Sequence, residues 1–171
     1  MNAPRHLVVM GVTATGKTTV GLALAQALGG VFVEGDTFHP KSNVEKMSAG
    51  LPLDDDDRRP WLRAVAAEIA RLDVADEVSV TACSALRRRY RDWLREGYPG
   101  LFFVHLDSTA DVLLDRMRRR THFMPPSLLR SQLDALEPLE PDEAGVVVND
   151  TETVDAVIAA SLAAVRSGSP A

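Results

Sequence analysis

The sequence predicts an α/β fold: three layers, with a five-stranded parallel sheet flanked by helices on both faces. Three observations carry that prediction. Short apolar runs alternate with longer stretches of helical periodicity along the whole chain. A phosphate-loop spacing, Gly11-Val12-Thr13-Ala14-Thr15-Gly16-Lys17-Thr18, stands directly behind the first apolar run, Leu7-Val8-Val9-Met10. No repeat or linker divides the 171 residues, so 1–171 reads as a single domain long enough to bury a core.

The elements follow in order. Residues 7–10 read as a buried strand that delivers the loop, and over 17–28 the residues Val20, Leu22, Ala23, Ala25 and Leu28 return at helical spacing. A second strand at 31–34 opens into a long polar segment, about 35–62, which runs into a helix predicted over 60–72. Strands at 78–83, 101–106 and 146–148 alternate with helices at 85–95, 109–120, 127–136 and 153–165. Pro125 and Pro126 mark a break before one helix, and Pro138 and Pro141 punctuate the approach to the last strand. The tail, 167–171, is expected to be mobile. Strands separated by helices need crossover connections, which makes the sheet parallel and covers both its faces.

Composition narrows the function classes. Hydrophobic residues make up 46% and charged residues 25%, ordinary for a globular protein. The net charge of -5 gives no bulk electrostatic case for nucleic acid or an anionic membrane as partner. Cys83 is the single cysteine, so no internal disulfide forms, which suits a reducing compartment. No apolar run approaches the ~20 residues of a membrane span, and no signal-like segment opens the chain; the expected location is cytoplasmic.

The loop's chemistry needs each of its parts. Small residues let the backbone amides of Gly11, Val12, Thr13, Ala14, Thr15 and Gly16 curl round a phosphate, and the helix N-terminus at Thr18 and Thr19 adds its positive end. Lys17 reaches the β- and γ-phosphates, while the Thr18 hydroxyl ligates Mg²⁺. Glu34, Asp36 and His39 leave the second strand at the carboxyl edge of the sheet, beside this loop. Ligands of open α/β sheets collect at that edge, and a phosphoryl acceptor is expected there.

That acceptor segment is more specific than the loop. Glu34-Gly35-Asp36, His39-Pro40, Asn43, Lys46-Met47, Gly50, Pro52-Leu53, Asp55, Asp57-Arg58 and Pro60-Trp61-Leu62 closely resemble the gluconate kinase (gluconokinase) family. So do Cys83-Ser84-Ala85-Leu86, Tyr90-Arg91-Asp92, His122-Phe123-Met124-Pro125, Leu128-Leu129, Ser131-Gln132 and Leu136-Glu137-Pro138. The resemblance implies the nucleoside-monophosphate-kinase-like P-loop fold with a lid over about 116–126. It also implies ATP with Mg²⁺, D-gluconate as the small-molecule substrate phosphorylated on its 6-hydroxyl, and a homodimer. Two departures stand out. Ala14 occupies a place where the family usually has glycine, and Arg120-Thr121-His122 lacks the glycine that usually precedes the lid's His-Phe-Met. Glu34 stands where the family more often has aspartate.

The residues themselves agree on the reaction class. Phosphoryl transfer asks for positioning and charge neutralisation. Asp36 is placed to orient the acceptor hydroxyl and take its proton, its competing role being a turn or helix cap. Glu34 is a candidate for holding a Mg²⁺-bound water. A polyhydroxy carboxylate wants cations and hydrogen-bonding groups, which Lys46, Arg58, His39 and Asn43 supply. Arg58 is the first choice for the carboxylate because guanidinium binds it bidentately; the alternative is an ion pair with Asp54 to Asp57. His39, before Pro40, has shaping the turn as its other reading. The four aspartates read as a solvated, arginine-paired run rather than a metal site. Ser84-Ala85 is expected to end the third strand and open a helix whose amides help hold substrate anions. Cys83 reads as a buried small hydrophobe. By resemblance Arg91 reaches the site, and Arg116, Arg120 and His122 belong to the lid that closes over ATP. Adenine contacts are expected near Asn149 and Asp150 by fold analogy.

Three rivals remain at this point. Another small-metabolite kinase, shikimate-kinase-like, shares the fold but not the acceptor segment. A nucleotide-hydrolysing switch leaves that segment unexplained. A nucleic-acid binder would rest only on two arginine runs, without aromatic platforms.

Overall fold

The computed structural model describes residues 3–120 and 125–167. Its five strands are β1 (His6–Met10), β2 (Val31–Glu34), β3 (Ser79–Ala82), β4 (Phe102–Asp107) and β5 (Gly145–Asn149), all parallel in the order β2-β3-β1-β4-β5. Along β1 the side chains alternate between two cores. Leu7 and Val9 pack with Val20 and Leu24 of α1 (Lys17–Leu28) and with Val157 and Val165 of α7 (Val154–Ser167). Val8 and Met10 face Leu62, Val65 and Ile69 of α3 (Asp55–Val74) and Leu94 of α4 (Arg88–Arg95). Period-two alternation on a strand buried on both sides is the signature of a sheet between helix layers. A third, smaller core beneath the phosphate loop joins Val12, Ala14 and Leu86 to Leu113 and Met117 of α5 (Ala110–Arg118) and Leu129 of α6 (Pro126–Ala135).

The sheet is the predicted one, and each strand lies within one or two residues of its expected bounds. The 35–62 segment differs. It holds a 3-10 turn, Gly35–Phe38, and a helix, α2 (Lys41–Ser48), that its sparse apolar residues did not signal. Helix α3 begins at Asp55 rather than near Pro60, because the aspartate run caps it. The Asp54 carboxylate accepts from the Asp57 amide at 2.8 Å, and Asp57 returns a bond from the Asp54 amide at 3.0 Å. Pro60 therefore sits inside the helix, at the cost of one backbone donor in the second turn.

Helix α4 begins at Arg88, not at Ala85. Ala85 has φ 44°, so the chain turns away from helix there. The connection leaving β1 runs toward β2 and the one leaving its neighbour β3 runs the other way, toward β4, so the loop after β1 lies at the switch point, where the sheet's carboxyl edge opens a crevice. Among the described residues no helix is long and apolar enough to cross a membrane. Most of the 167–171 tail lies outside the described residues.

Candidate active site

The phosphate loop is shaped by glycine. Gly11 has φ 143°, and a Cβ there would lie 2.7 Å from the Leu106 carbonyl oxygen, so no side chain fits. Inside the loop the Val12 carbonyl accepts from Thr15 Oγ1 and from Lys17 Nζ, both at 2.9 Å, which holds the lysine over the loop. Burial lowers the Lys17 pKa, while Asp36 and Glu34 act in the opposite direction. Ala14 adopts φ 67°, the left-handed conformation that glycine takes without penalty, and its methyl is buried in the third core. Thr18 Oγ1 donates to Glu34 Oε2 at 2.7 Å. A hydroxyl beside a carboxylate at a helix N-terminus is a hard-oxygen pair that fits Mg²⁺. Among the described residues no cluster of three or more His, Cys, Asp or Glu offers a larger metal cage.

Two clefts flank this loop. The first is lined by Ala14, Thr15, Gly16, Thr19, Arg116, Arg120 and Asp150. Arg116 spans it: its guanidinium pairs with the Asp150 carboxylate, donates to the Asp150 carbonyl at 2.7 Å and reaches the Ala14 carbonyl at 3.2 Å. Asp150 thus stands where a nucleotide contact was expected, held by an arginine the sequence had assigned to the lid. Burial raises the Asp150 pKa against the opposing pull of Arg116. Arg120 lines the cleft just past the end of α5, whereas His122 lies outside the described residues.

The second cleft is lined by Thr13, Lys17, Asp36, His39, Arg58, Trp61, Ser84, Ser131 and Gln132, with apolar walls from Met47, Leu51, Pro52, Leu53, Leu86 and Leu128. Thr13 and Lys17 belong to the phosphate loop, so this cleft opens directly on the phosphates' end of the site. Asp36 sits on the turn after β2 with its side chain 73% exposed. That turn is braced from behind, because Trp61 Nε1 donates to the Gly35 carbonyl at 2.8 Å. A Cβ at Gly35 would lie 2.4 Å from the Ala82 carbonyl, which keeps the turn pressed against β3.

His39 stacks on Trp61, with ring centroids 3.9 Å apart. Asn43 Nδ2 donates to the Asp57 carbonyl at 2.9 Å and faces His39 Nδ1 at 3.2 Å. An amide nitrogen only donates, so Nδ1 accepts and the ring proton resides on Nε2, toward Asp36 at 3.8 Å. Burial, with the Arg58 charge adding to it, lowers the His39 pKa to about 4. The ring is therefore a neutral donor across the neutral range.

Arg58 lines the cleft and pairs with none of the four aspartates. Its Nη1 donates to the Leu53 carbonyl, and its guanidinium lies over the Tyr90 ring at 5.3 Å. Three of the aspartates are engaged elsewhere: Asp54 by the Asp57 amide, Asp57 by Lys46 at 2.7 Å, and Asp55 by Arg89 and Tyr90.

Three expected contacts are not brought to the cleft. Lys46 is turned to Asp57, where the salt bridge ties α2 to α3. Asn43 is buried and does not line the cleft, its Nδ2 being turned to His39 and the α3 backbone. Arg91 is fully buried with Glu143, at 2.7 Å through both Nε and Nη2. Its remaining bonds go to the carbonyls of Ala85, Leu86, Glu137 and Pro138. It pins the β3–α4 loop, which carries Ser84 and Leu86, against the segment after α6. Ser84 does line the cleft, but the helix expected to open at Ala85 begins only at Arg88, so its N-terminal amides do not adjoin Ser84. Cys83 is buried and its thiol is pushed up to about 12, chiefly by burial, so it stays protonated.

Some site residues had no assigned role in the sequence. Trp61, Ser131 and Gln132 were visible only as parts of resembling motifs, and the Arg116–Asp150 pair joins residues far apart in the chain. Only the fold brings them together.

Comparisons with known proteins bear on the fold and the family. The family model for shikimate kinase matches residues 13–164. The gluconokinase of Gluconobacter oxydans is 49% identical over 156 residues, covering 91% of this chain and 88% of that protein. Among solved structures, a gluconokinase from Sinorhizobium meliloti superposes with a TM-score of 0.84 at 45% identity, covering 98% of this chain and 93% of that one. An unliganded sugar kinase from Janibacter does so at 0.89 and 44%, covering 98% and 99%. The chain is a member of the shikimate kinase family of P-loop proteins and, within it, of the gluconokinases.

Proposed function

We propose that this chain transfers the γ-phosphoryl group of ATP to the 6-hydroxyl of D-gluconate, giving 6-phospho-D-gluconate and ADP. The observation that carries the reading is the second cleft. An arginine with no carboxylate partner among the described residues, a neutral histidine donor and an exposed aspartate line one cleft with Lys17 of the phosphate loop. Its support from outside is the identity to proteins named gluconokinase.

In this reading Arg58 takes the carboxylate of the sugar acid, and His39 Nε2–H and Ser84 take chain hydroxyls. The 6-hydroxyl then points to the phosphate loop. Asp36 accepts its proton as the oxygen attacks the γ-phosphorus and the bond to the ADP oxygen breaks. Lys17, with Arg120 from the lid side, offsets charge on the moving group. Mg²⁺, held by Thr18 with Glu34 behind it, would supply further neutralisation across the phosphates. Arg116 and Asp150 frame the nucleotide's other end. A cytoplasmic location is part of the same proposal, supported by the need for ATP and by the lone buried cysteine. A homodimer rests on resemblance alone, and light scattering tests it.

The test is ADP release from ATP and Mg²⁺ with D-gluconate, other sugar acids, shikimate and nucleoside monophosphates as separate acceptors. Gluconate should give the highest kcat/KM. Shikimate is in the panel because the matching family model carries that name. A preference for shikimate, or equal ADP release with no acceptor, would overturn the assignment.

A further inference from the structure

Gln132 is a cleft residue that the reading above leaves without work. It projects from α6 to the phosphate loop, where its Oε1 accepts from the Thr13 amide at 2.7 Å. The orientation of this carboxamide is fixed by chemistry: a backbone N–H needs an acceptor, so the carbonyl end faces the loop. Thr13 lies in the stretch whose amides a nucleotide phosphate takes, and Gln132 also lines the acceptor cleft beside Asp36, His39 and Arg58. One N–H thus has two possible acceptors, belonging to two different ligand events.

We propose that Gln132 is a positioning residue that makes acceptor binding conditional on the nucleotide. The proposal rests on the kinase reading given above. A phosphate oxygen is charged, and hydrogen bonds to ionised acceptors are about twice as strong as neutral ones, so the phosphate displaces the carboxamide from Thr13. The released side chain carries two donors and an acceptor, a set suited to the hydroxyls of a polyhydroxy acid, and it remains in the cleft wall. Nucleotide binding frees a contact that the acceptor then uses, and linkage requires the effect to be reciprocal. A bound acceptor, by holding Gln132 away from Thr13, tightens the nucleotide equally.

The test is calorimetry on the full chain with two probes: the β,γ-imido analogue of ATP with Mg²⁺, and D-gluconate. In the wild type, gluconate should bind about five- to tenfold tighter when the analogue is present, the worth of one hydrogen bond. Q132A should bind gluconate with the same affinity in both conditions. It should also bind the analogue alone a few-fold tighter, since no carboxamide competes for Thr13. Q132E should bind the analogue more weakly, because a carboxylate competes harder and repels phosphate. A residue that only stabilises α6 would not shift nucleotide affinity in opposite directions. Equal gluconate affinity with and without the analogue in the wild type overturns the proposal, as does coupling that survives in Q132A. Should gluconate not bind the wild type at all, the substrate reading fails. The analogue arm alone then decides the latch, and equal analogue affinity in wild type and Q132A overturns it.

Discussion

The two halves of this site are built from different materials. The nucleotide half is backbone: consecutive amides of residues 11–16 wrap the phosphate position, and Gly11 and Ala14 take conformations that most residues avoid. Its side chains are largely occupied by neighbours, Lys17 by the Val12 carbonyl, Thr18 by Glu34 and Arg116 by Asp150. The acceptor half is side chain, drawn from the turn after β2, from α3, from the β3–α4 loop and from α6. A phosphate can be held by a short local motif because every nucleotide presents the same phosphate. A particular acid must be recognised by groups placed separately, and each placement needs support from behind.

The largest effect expected from breaking one half without the other is at Asp36. Asp36→Asn keeps the shape of the turn, whose support comes from Trp61 and the Gly35 carbonyl rather than from the carboxylate. It removes the proposed proton acceptor, worth about 10² to 10⁴ in rate. Turnover with saturating gluconate should fall by that factor, while calorimetric affinity for ATP stays unchanged. A near-normal kcat would move the base elsewhere.

That division also explains what could be read in the sequence. The nucleotide half was legible because its parts are adjacent: strand, loop and helix follow within residues 6–28. The parallel sheet was legible from strand–helix alternation. The acceptor half was legible in place and in reaction class, while its particular substrate came from the resemblance, and charges misled where they had a structural partner. Lys46 and Arg91 carry the right charge for a sugar acid, yet Asp57 and Glu143 claim them. Nothing local in the sequence announces a partner 52 residues away, the separation of Arg91 and Glu143. The aspartate run hid its role because capping depends on where the helix begins, and Pro60 argued for a later start.

Support for the acceptor half should be measurable as stability. Arg91→Met leaves Glu143 buried with Arg95 as its main remaining partner, and removing one member of a buried pair costs about 3–5 kcal/mol. The urea midpoint should drop, and the KM for gluconate should rise because Ser84 and Leu86 lose their anchor. An unchanged midpoint would show that Arg95 compensates. The same network has a pH signature. Burial alone would raise the Glu143 carboxyl, but bonds from Arg91, Arg95 and the Glu140 amide outweigh it and hold it at about 2. Its folded pKa is thus depressed below the ordinary 4.5. The stability it contributes is present above about pH 4.5 and is lost as pH falls from there toward 2. His39 adds a second acid-side loss. Kept neutral in the fold down to about 4, it takes up a proton more readily when unfolded, so stability also declines between pH 6.5 and 4. Glu143→Gln should flatten the lower limb of the stability curve and leave the upper one.

Arg58 separates binding from chemistry. Arg58→Ala should raise the KM for gluconate about ten- to a hundredfold, the worth of a charge-assisted hydrogen bond, with the KM for ATP within twofold. Arg58→Lys should recover part of that loss, since the charge returns without the bidentate fork. An unchanged KM in Arg58→Ala would mean that the Tyr90 and Leu53 contacts, not the substrate, are the purpose of this arginine.

The smallest expected effect is at Ala14, and it sharpens the comparison because here the backbone half relies on a side chain. A left-handed alanine costs about 1–2 kcal/mol, which Ala14→Gly would relieve. Against that, the substitution removes a buried methyl worth about 0.8 kcal/mol and adds unfolded-state freedom of about 0.5–1 kcal/mol. The opposing terms are of equal size, so thermal stability should move by less than about 1 kcal/mol in either direction. Ala14→Val tests the same account from the other side. Left-handed backbone is a true outlier for a β-branched residue, and the methyl already fills its space among Leu86, Leu113 and Leu129. Valine should therefore destabilise by more than the glycine change does and weaken ATP binding with it. If glycine instead gained 2 kcal/mol or more, the methyl would have no packing role. The loop would then carry its strain uncompensated, held by its hydrogen bonds, among them those to the Val12 and Ala14 carbonyls and the one from the Thr13 amide to Gln132.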